Sequence, residues 1–285
     1  VADQFSEKTS DSKYTIINSI FNQRKMPRMI TRNQVKMILS LQKRKVREEN
    51  LLFVIEGDKL VREYLLAGNR VALLAGKPEW LSGESEDVTS GADETVTVGY
   101  DELRRISSLK TPHNVLAVAH MPVRQYTDDI TAGKLTLALE NVQDPGNLGT
   151  IIRIAAWFGI GNIICSPECV DQYNPKVIQA SMGAFMHVRV WYRPLDEALS
   201  EATAGGIPVY GTTMDGQTVY EHTLGSEGII LLGNESRGIS EGLLKHVTER
   251  ITIPGPGKSA AGIESLNVSM AAAIICSEFA RRRKV

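Results

Sequence analysis

A chain of 285 residues exceeds the size at which one hydrophobic core usually stops growing, so two domains are expected. At 42% hydrophobic and 23% charged residues it is neither disordered nor collagen-like. A net charge of −1 excludes a uniformly basic nucleic-acid coat, though not a local basic patch.

The opening segment to about residue 22 is polar and aperiodic, and reads as a tail without the apolar core of a signal peptide. From Arg24 through Lys25, Arg28, Arg32, Lys36, Lys43, Arg44 and Lys45 to Arg47 there are nine cations and no carboxylate. Val35, Ile38, Leu39 and Leu41 fall among them at mixed helical spacing, which predicts an amphipathic basic helix over 30–45. LLFVIEG (51–57) reads as a strand, DKLVREYLLAG (58–68) as a helix and VALLAG (71–76) as a strand. The stretch 82–94, with five acids and no cation, reads as an exposed loop. Together these outline a small α/β domain over 23–120, followed by a linker over 121–133.

From 134 onward strand and helix signals alternate. LTLALE (135–140), NIICSP (162–167), VRVWY (188–192), PVYGTT (208–213), GIILLG (228–233) and RITIP (250–254) are apolar strands, and a last helix runs from about 266 to 283. This alternation predicts a parallel sheet covered on both faces. No apolar stretch approaches the roughly 18 residues of a membrane span. Cys165, Cys169 and Cys276 are too few for a disulfide scaffold and lack a second zinc pair, so a reducing, cytoplasmic setting without a metal site is expected.

Ligands of parallel sheets gather at the carboxyl ends of strands, and three such ends carry unusual loops. In the first, Asp144-Pro145-Gly146 makes a turn, Asn147 reads as the N-cap, and an almost wholly apolar helix follows. Arg153 is set in that helix and should be buried, which calls for a partner. A structural ion pair, a subunit contact and a catalytic cation all meet that need. In the second loop, Gly233 allows close approach of a ligand or of another backbone. Asn234 and Glu235 follow, forming either a polar turn or a pair that orients a hydroxyl or a partner's arginine. In the third, Gly255-Pro256-Gly257-Lys258-Ser259 resembles the tail of a phosphate loop, but Thr252 occupies the place of its first glycine. Ser265 or Asn267 then caps the last helix, whose Ala271, Ala272 and Ala273 allow close packing. No G-x-G-x-x-G follows the first strand of either domain, so the common dinucleotide-binding loop is missing.

DPGNLGTIIRIAAWFG, LLGNESRGIS and ESLNVSMAAAI, in this order, closely resemble the three motifs of the SpoU (TrmH) branch of SPOUT RNA methyltransferases. KVIQASMGAFMHVRV (176–190) and VYGTTMDG (209–216) look like family sequence too, and the likeness covers about 134–283. The segment 42–68 is similar to the small substrate-binding domain often fused ahead of the catalytic one. The resemblance implies a parallel-sheet α/β domain with a C-terminal trefoil knot, preceded by a small α/β RNA-binding domain. It implies S-adenosylmethionine held by Gly233, Ile253 and Leu266, with Thr212 or Thr213 also in contact. It implies a homodimer and methyl transfer to a ribose 2′-hydroxyl of ribosomal or transfer RNA, ribosomal RNA being preferred. Arg153 is then the residue at the hydroxyl, with Asn147, Glu235, Ser265 and Asn267 around it. A guanidinium is always protonated, which favours charge stabilisation over proton abstraction. Arg28, Arg32, Lys43, Arg44, Lys45 and Arg47 would meet RNA phosphate. One departure stands out: the nine residues GPGKSAAGI between Pro254 and Glu264 make a longer loop than the family pattern. A catalytically silent RNA-binding protein and a nucleotide hydrolase are the alternatives; the first predicts broken motifs, the second ATP bound at Lys258.

Overall fold

In the computed structural model, residues 28–127, 130–255 and 265–282 are described. The opening tail to about residue 22, Arg24, Lys25, most of the phosphate-loop-like stretch 255–259 and most of the 255–263 insertion lie outside these residues.

The first unit is a five-stranded sheet in the order β1-β4-β3-β5-β2. Its strands are β1 (Arg28–Met29), β2 (Leu52–Glu56), β3 (Val71–Gly76), β4 (Ala92–Thr97) and β5 (Val115–His120). β5 runs antiparallel to β2 and β3. The expected single basic helix is two: α1 (Arg32–Ser40), capped by a Thr31–Gln34 box, and α2 (Arg44–Asn50). The chain turns at Leu41, which is fully buried with Ile38, and the carbonyls freed there have a specific partner, the Arg47 guanidinium. α3 (Asp58–Leu66) follows β2. The acidic stretch 82–94 is not simply a loop. It holds the end of α4 (Pro78–Gly83), all of α5 (Glu86–Thr89) and the start of β4, because Trp80 and Val88 anchor it to the core. α6 (Tyr100–Ile106) leads on towards β5.

The second unit is a wholly parallel six-stranded sheet in the order β11-β9-β10-β6-β7-β8. Its strands are β6 (Leu135–Leu139), β7 (Asn162–Cys165), β8 (Arg189–Tyr192), β9 (Val209–Thr218), β10 (Gly228–Leu232) and β11 (Glu249–Thr252). Side chains alternate across it as the strand period requires. Leu137, Leu139, Ile163, Ile230 and Leu232 face α7 (Pro145–Trp157), α8 (Pro175–Ser181) and α11 (Val268–Arg282). Ala138, Ile164, Ile229 and Leu231 face α9 (Leu195–Ala204) and α10 (Glu241–Leu244). α7 and α8 approach closely because Gly149 has no side chain; a Cβ there would sit 2.5 Å from that of Ala180. Among the described residues no helix is long and apolar enough to cross a membrane.

The two units share one core. Phe53, Ile55 and Tyr64 belong to the same buried cluster as Val177, Phe185 and the inner face of the second sheet. Arg47 is 1% exposed; its Nε donates to Asp171 at 2.9 Å, and Nη1 donates to the carbonyls of Leu41 (2.7 Å) and Gln42 (3.0 Å). Gln179 adds a bond to the Glu56 carbonyl at 2.9 Å.

The end of the chain is pinned as well. Glu278 accepts from Arg281 and Arg282, and Arg282 also donates to the carbonyls of Val219, Tyr220 and His222. Arg281 first, then Arg282, hold the Glu278 carboxyl down at about 2. Because the folded value lies below the unfolded one, this contribution is complete above about pH 4.5 and disappears as pH falls towards 2. Denaturant titrations of the wild type and Glu278→Gln should therefore differ most near neutrality and converge as the solution is acidified. A gap that stays constant with pH would show that the carboxylate charge contributes nothing.

Candidate active site

A cavity of about 550 Å³ opens at the carboxyl ends of β9, β10 and β11. β9 shapes one wall. Its register with β11 jumps from Gly211–Arg250 to Gln217–Ile251, so residues 212–216 bulge out of the ladder. Thr212 and Thr213 on this bulge, Gly233, Ile253 and Leu266 all line the cavity, together with Glu235 and Ser265. Leu232, Val268 and Ile275 make further parts of its lining apolar.

Gly233 is required by another backbone: a Cβ there would lie 2.2 Å from the carbonyl carbon of Gly238. The turn it permits is built by Asn234, whose Oδ1 accepts from the amides of Ser236 and Arg237, while Nδ2 donates to the Asn141 carbonyl. Asn234 is thereby consumed in the turn, and Glu235 takes up a different connection. Asn267 Nδ2 donates to Asn147 Oδ1 at 3.0 Å, and Asn147 Nδ2 donates to Glu235 Oε1 at 2.9 Å. Three residues distant in sequence thus form one polar chain whose last member, Glu235, lies at the cavity.

Local structure explains why these side chains are available. The cap of α7 is Asp144, not Asn147: Asp144 Oδ1 accepts from the Asn147 amide at 2.8 Å, with Pro145 in the first turn. Asn147 sits one turn in, and its side chain is left for Glu235 and Asn267. Asn267 does two jobs. Its Oδ1 caps α11 by accepting from Ser269 and Met270, while its amide reaches Asn147.

Arg153 departs from expectation. It is exposed, because α7 buries Ile151, Ile152 and Ala155 and turns Arg153 and Trp157 outward. A nearly continuous apolar run does not reveal which of its positions faces away from the sheet. Arg153 does not line the cavity of its own chain; it borders a separate hollow with Glu63, Trp157, Met182 and His187. Trp157 is 84% and Met182 69% exposed, an uncovered apolar face beside a cation.

The basic residues also divide. Arg28, Arg32, Lys43 and Lys45 are exposed. Arg44 is exposed but pairs with Glu48 at 2.7 Å and lies over the Tyr192 ring. Arg47 is no surface cation: it is enclosed and committed to Asp171, which corrects its assignment to RNA phosphate. Sequence reasoning missed an ion pair at the cavity, Arg250 to Asp215 at 2.7 Å, which exists only because the 212–216 bulge brings Asp215 across from β11. No sequence pattern signals it.

A family model described as the SpoU rRNA Methylase family matches residues 134–277, half of the chain. The chain belongs to the SpoU rRNA methylase family. A model described as an MRM3-like substrate binding domain matches residues 32–117. Among curated SpoU relatives, the 23S rRNA (guanosine(2553)-2′-O)-methyltransferase RlmP of Bacillus subtilis is 32% identical over 243 residues, 85% of this chain and 94% of that one. A putative RNA methyltransferase of the TrmH family from Porphyromonas gingivalis superposes with a TM-score of 0.79 at 40% identity, covering 89% of this chain and 99% of the other. An AdoMet-bound rRNA methyltransferase from Sinorhizobium meliloti superposes at 0.78 with 26% identity, covering 90% and 98%. In this SpoU frame, the cavity and the Asn267–Asn147–Glu235 chain fall on the three motifs that carry the resemblance.

Proposed function

We propose that this chain methylates a ribose 2′-hydroxyl of ribosomal RNA, with S-adenosylmethionine in the cavity at β9–β11. The observation that carries this reading is the Asn267–Asn147–Glu235 chain, which ends at a cavity with apolar stretches of wall. The cavity fits the cofactor: its volume is that of a small-molecule site, and its lining mixes aliphatic side chains with hydroxyls and strand-end backbone, as an adenine and a sulfonium-bearing methionine chain require. Gly233, Ile253, Leu266, Thr212 and Thr213 would hold it.

S-adenosylmethionine supplies an electrophilic methyl group on a sulfonium. Transfer of that methyl would break its S–CH3 bond, leave a neutral thioether and release the hydroxyl proton, so the protein's part is to align the ribose oxygen and stabilise its developing charge. Glu235, fixed by Asn147, is placed to accept a hydrogen bond from the hydroxyl, and Ser265 lines the same cavity. Arg153 cannot serve the cavity of its own chain from its position on α7. In the homodimer that the family resemblance implies, a second copy covers the face of Trp157 and Met182 and receives Arg153 at its own site. The small domain and the exposed cations Arg28, Arg32, Lys43, Arg44 and Lys45 then meet RNA phosphate. The trefoil knot that the family resemblance implies is part of the same reading. Three reduced, buried cysteines suit a cytoplasmic enzyme.

Calorimetry on the purified protein in chelator is expected to show saturable binding of S-adenosylmethionine and none of ATP. ATP binding without any response to S-adenosylmethionine would overturn the reading.

A further inference from the structure

A second cavity lies at the seam between the two units, away from the β9–β11 site. It has a volume of about 300 Å³, the low end of small-molecule sites. Its floor is aromatic and comes from both sides of the seam. Phe53 and Tyr64 belong to the first unit, Tyr173 and Phe185 to the second. Phe53 packs 4.5 Å from Tyr173, and Tyr64 stacks on Phe185 at 6.2 Å. Phe53, Tyr64 and Phe185 are buried, whereas Tyr173 is only partly covered and offers ring surface to the cleft.

The rim is polar and cationic. Arg70, His120 and Arg124 are exposed around it; Arg70 and His120 share the carboxylate of Asp93. Arg124 lines the same cavity as Tyr64 and Tyr173, close enough for its positive charge to act on both phenols. Burial pushes both phenols up to about 12, so each keeps its proton and can donate. Asn69 spends its Nδ2 on the Tyr64 carbonyl, leaving Oδ1 as an acceptor at the edge.

We infer that this interdomain cleft receives a single unstacked base of the RNA substrate, with Tyr173 as the stacking surface, Arg124 on the adjoining phosphate and Asn69 at the base edge. The inference rests on the RNA reading above. Aromatic surface beside an arginine is the usual means of holding an unpaired nucleotide, and it tolerates any base because each has a π-face. The cleft is the size of one nucleotide rather than a helix. Its place on the seam also suits RNA that is held by the small domain while another nucleotide is presented to the catalytic one.

The test uses the full chain and a fluorescent single-stranded RNA dodecamer carrying 4-thiouridine. Crosslinks are expected at Tyr64, Tyr173 or Met186. Arg124→Ala, at an exposed position, should weaken RNA binding and flatten its log–log salt dependence by about 0.7. Tyr173→Ala should weaken binding by about 5- to 100-fold, as loss of one stacked base does, and Tyr173→Phe should recover most of it. S-adenosylmethionine affinity should be unchanged in all three variants. RNA affinity unchanged in the variants and no crosslink at the cleft, with methyl transfer intact, would overturn this inference and leave the methyltransferase reading standing. Failure to bind either RNA or S-adenosylmethionine would overturn both. Saturation of the cleft by free UMP, with RNA affinity unchanged in the variants, would make it a mononucleotide site and also overturn it.

Discussion

Arg153→Lys should lower single-turnover methyl transfer by about 10²-fold or more while leaving melting temperature and S-adenosylmethionine affinity unchanged. The planar guanidinium fork can hold two oxygens at once, and an ammonium on a flexible stem cannot reproduce that geometry. Because Arg153 is exposed, its replacement strands no buried carboxylate, and the stability change should stay within about 0.5 kcal/mol, as for other surface substitutions. Mixing Arg153→Lys chains with chains altered at Glu235 gives a second readout. If Arg153 serves the partner's cavity, mixed dimers contain one intact site and should regain part of the activity that each variant lacks alone. Near-native turnover by Arg153→Lys would remove Arg153 from the reaction. An inactive mixture would place Arg153 and Glu235 of one chain at the same site.

Arg47→Ala should have the largest effect on stability, about 3–5 kcal/mol, since it leaves the Asp171 carboxylate beside a vacated, nearly dry space and two carbonyls without their donor. Arg47→Met with Asp171→Leu should cost far less, because no charge is then stranded. Guanidinium unfolding of the two variants beside the wild type measures both. Equal losses for the single and double variants would mean that the stranded Asp171 carboxylate contributes nothing to the cost. Arg47→Ala should also weaken RNA binding indirectly, by releasing the turn that carries Lys43 and Arg44, without moving the cofactor affinity.

Much of this architecture could be read from apolar periodicity. VALLAG, LTLALE, NIICSP and GIILLG are short, almost wholly buried on both faces and bounded by turn residues, so their positions survive almost unchanged in the fold, whereas β9 runs on past its expected end to Thr218. The acidic stretch 82–94 was harder to read because its two anchors, Trp80 and Val88, are single residues among charges. The site was legible only as separate motifs. Nothing in the spacing of Asn147, Glu235 and Asn267 shows that their amides and carboxylate join end to end. That contact depends on Asp144 taking the cap of α7. The outward turn of Arg153 and the enclosure of Arg47 had no local signal either, because both depend on which surfaces meet after folding.

The continuous core between the two units has a practical consequence. Phe53, Tyr64, Tyr173 and Phe185 cover one another across the seam, so neither half retains a closed surface when separated. The small domain cannot be exchanged between relatives like a cassette to redirect the enzyme to another RNA. A chimera cut at the 121–133 connection would expose a mismatched aromatic face on both pieces and unpair Arg47 from Asp171. Successful transplants should instead carry the seam residues of both parents' halves as one block, with the new boundary drawn through the exposed cations and not through the linker.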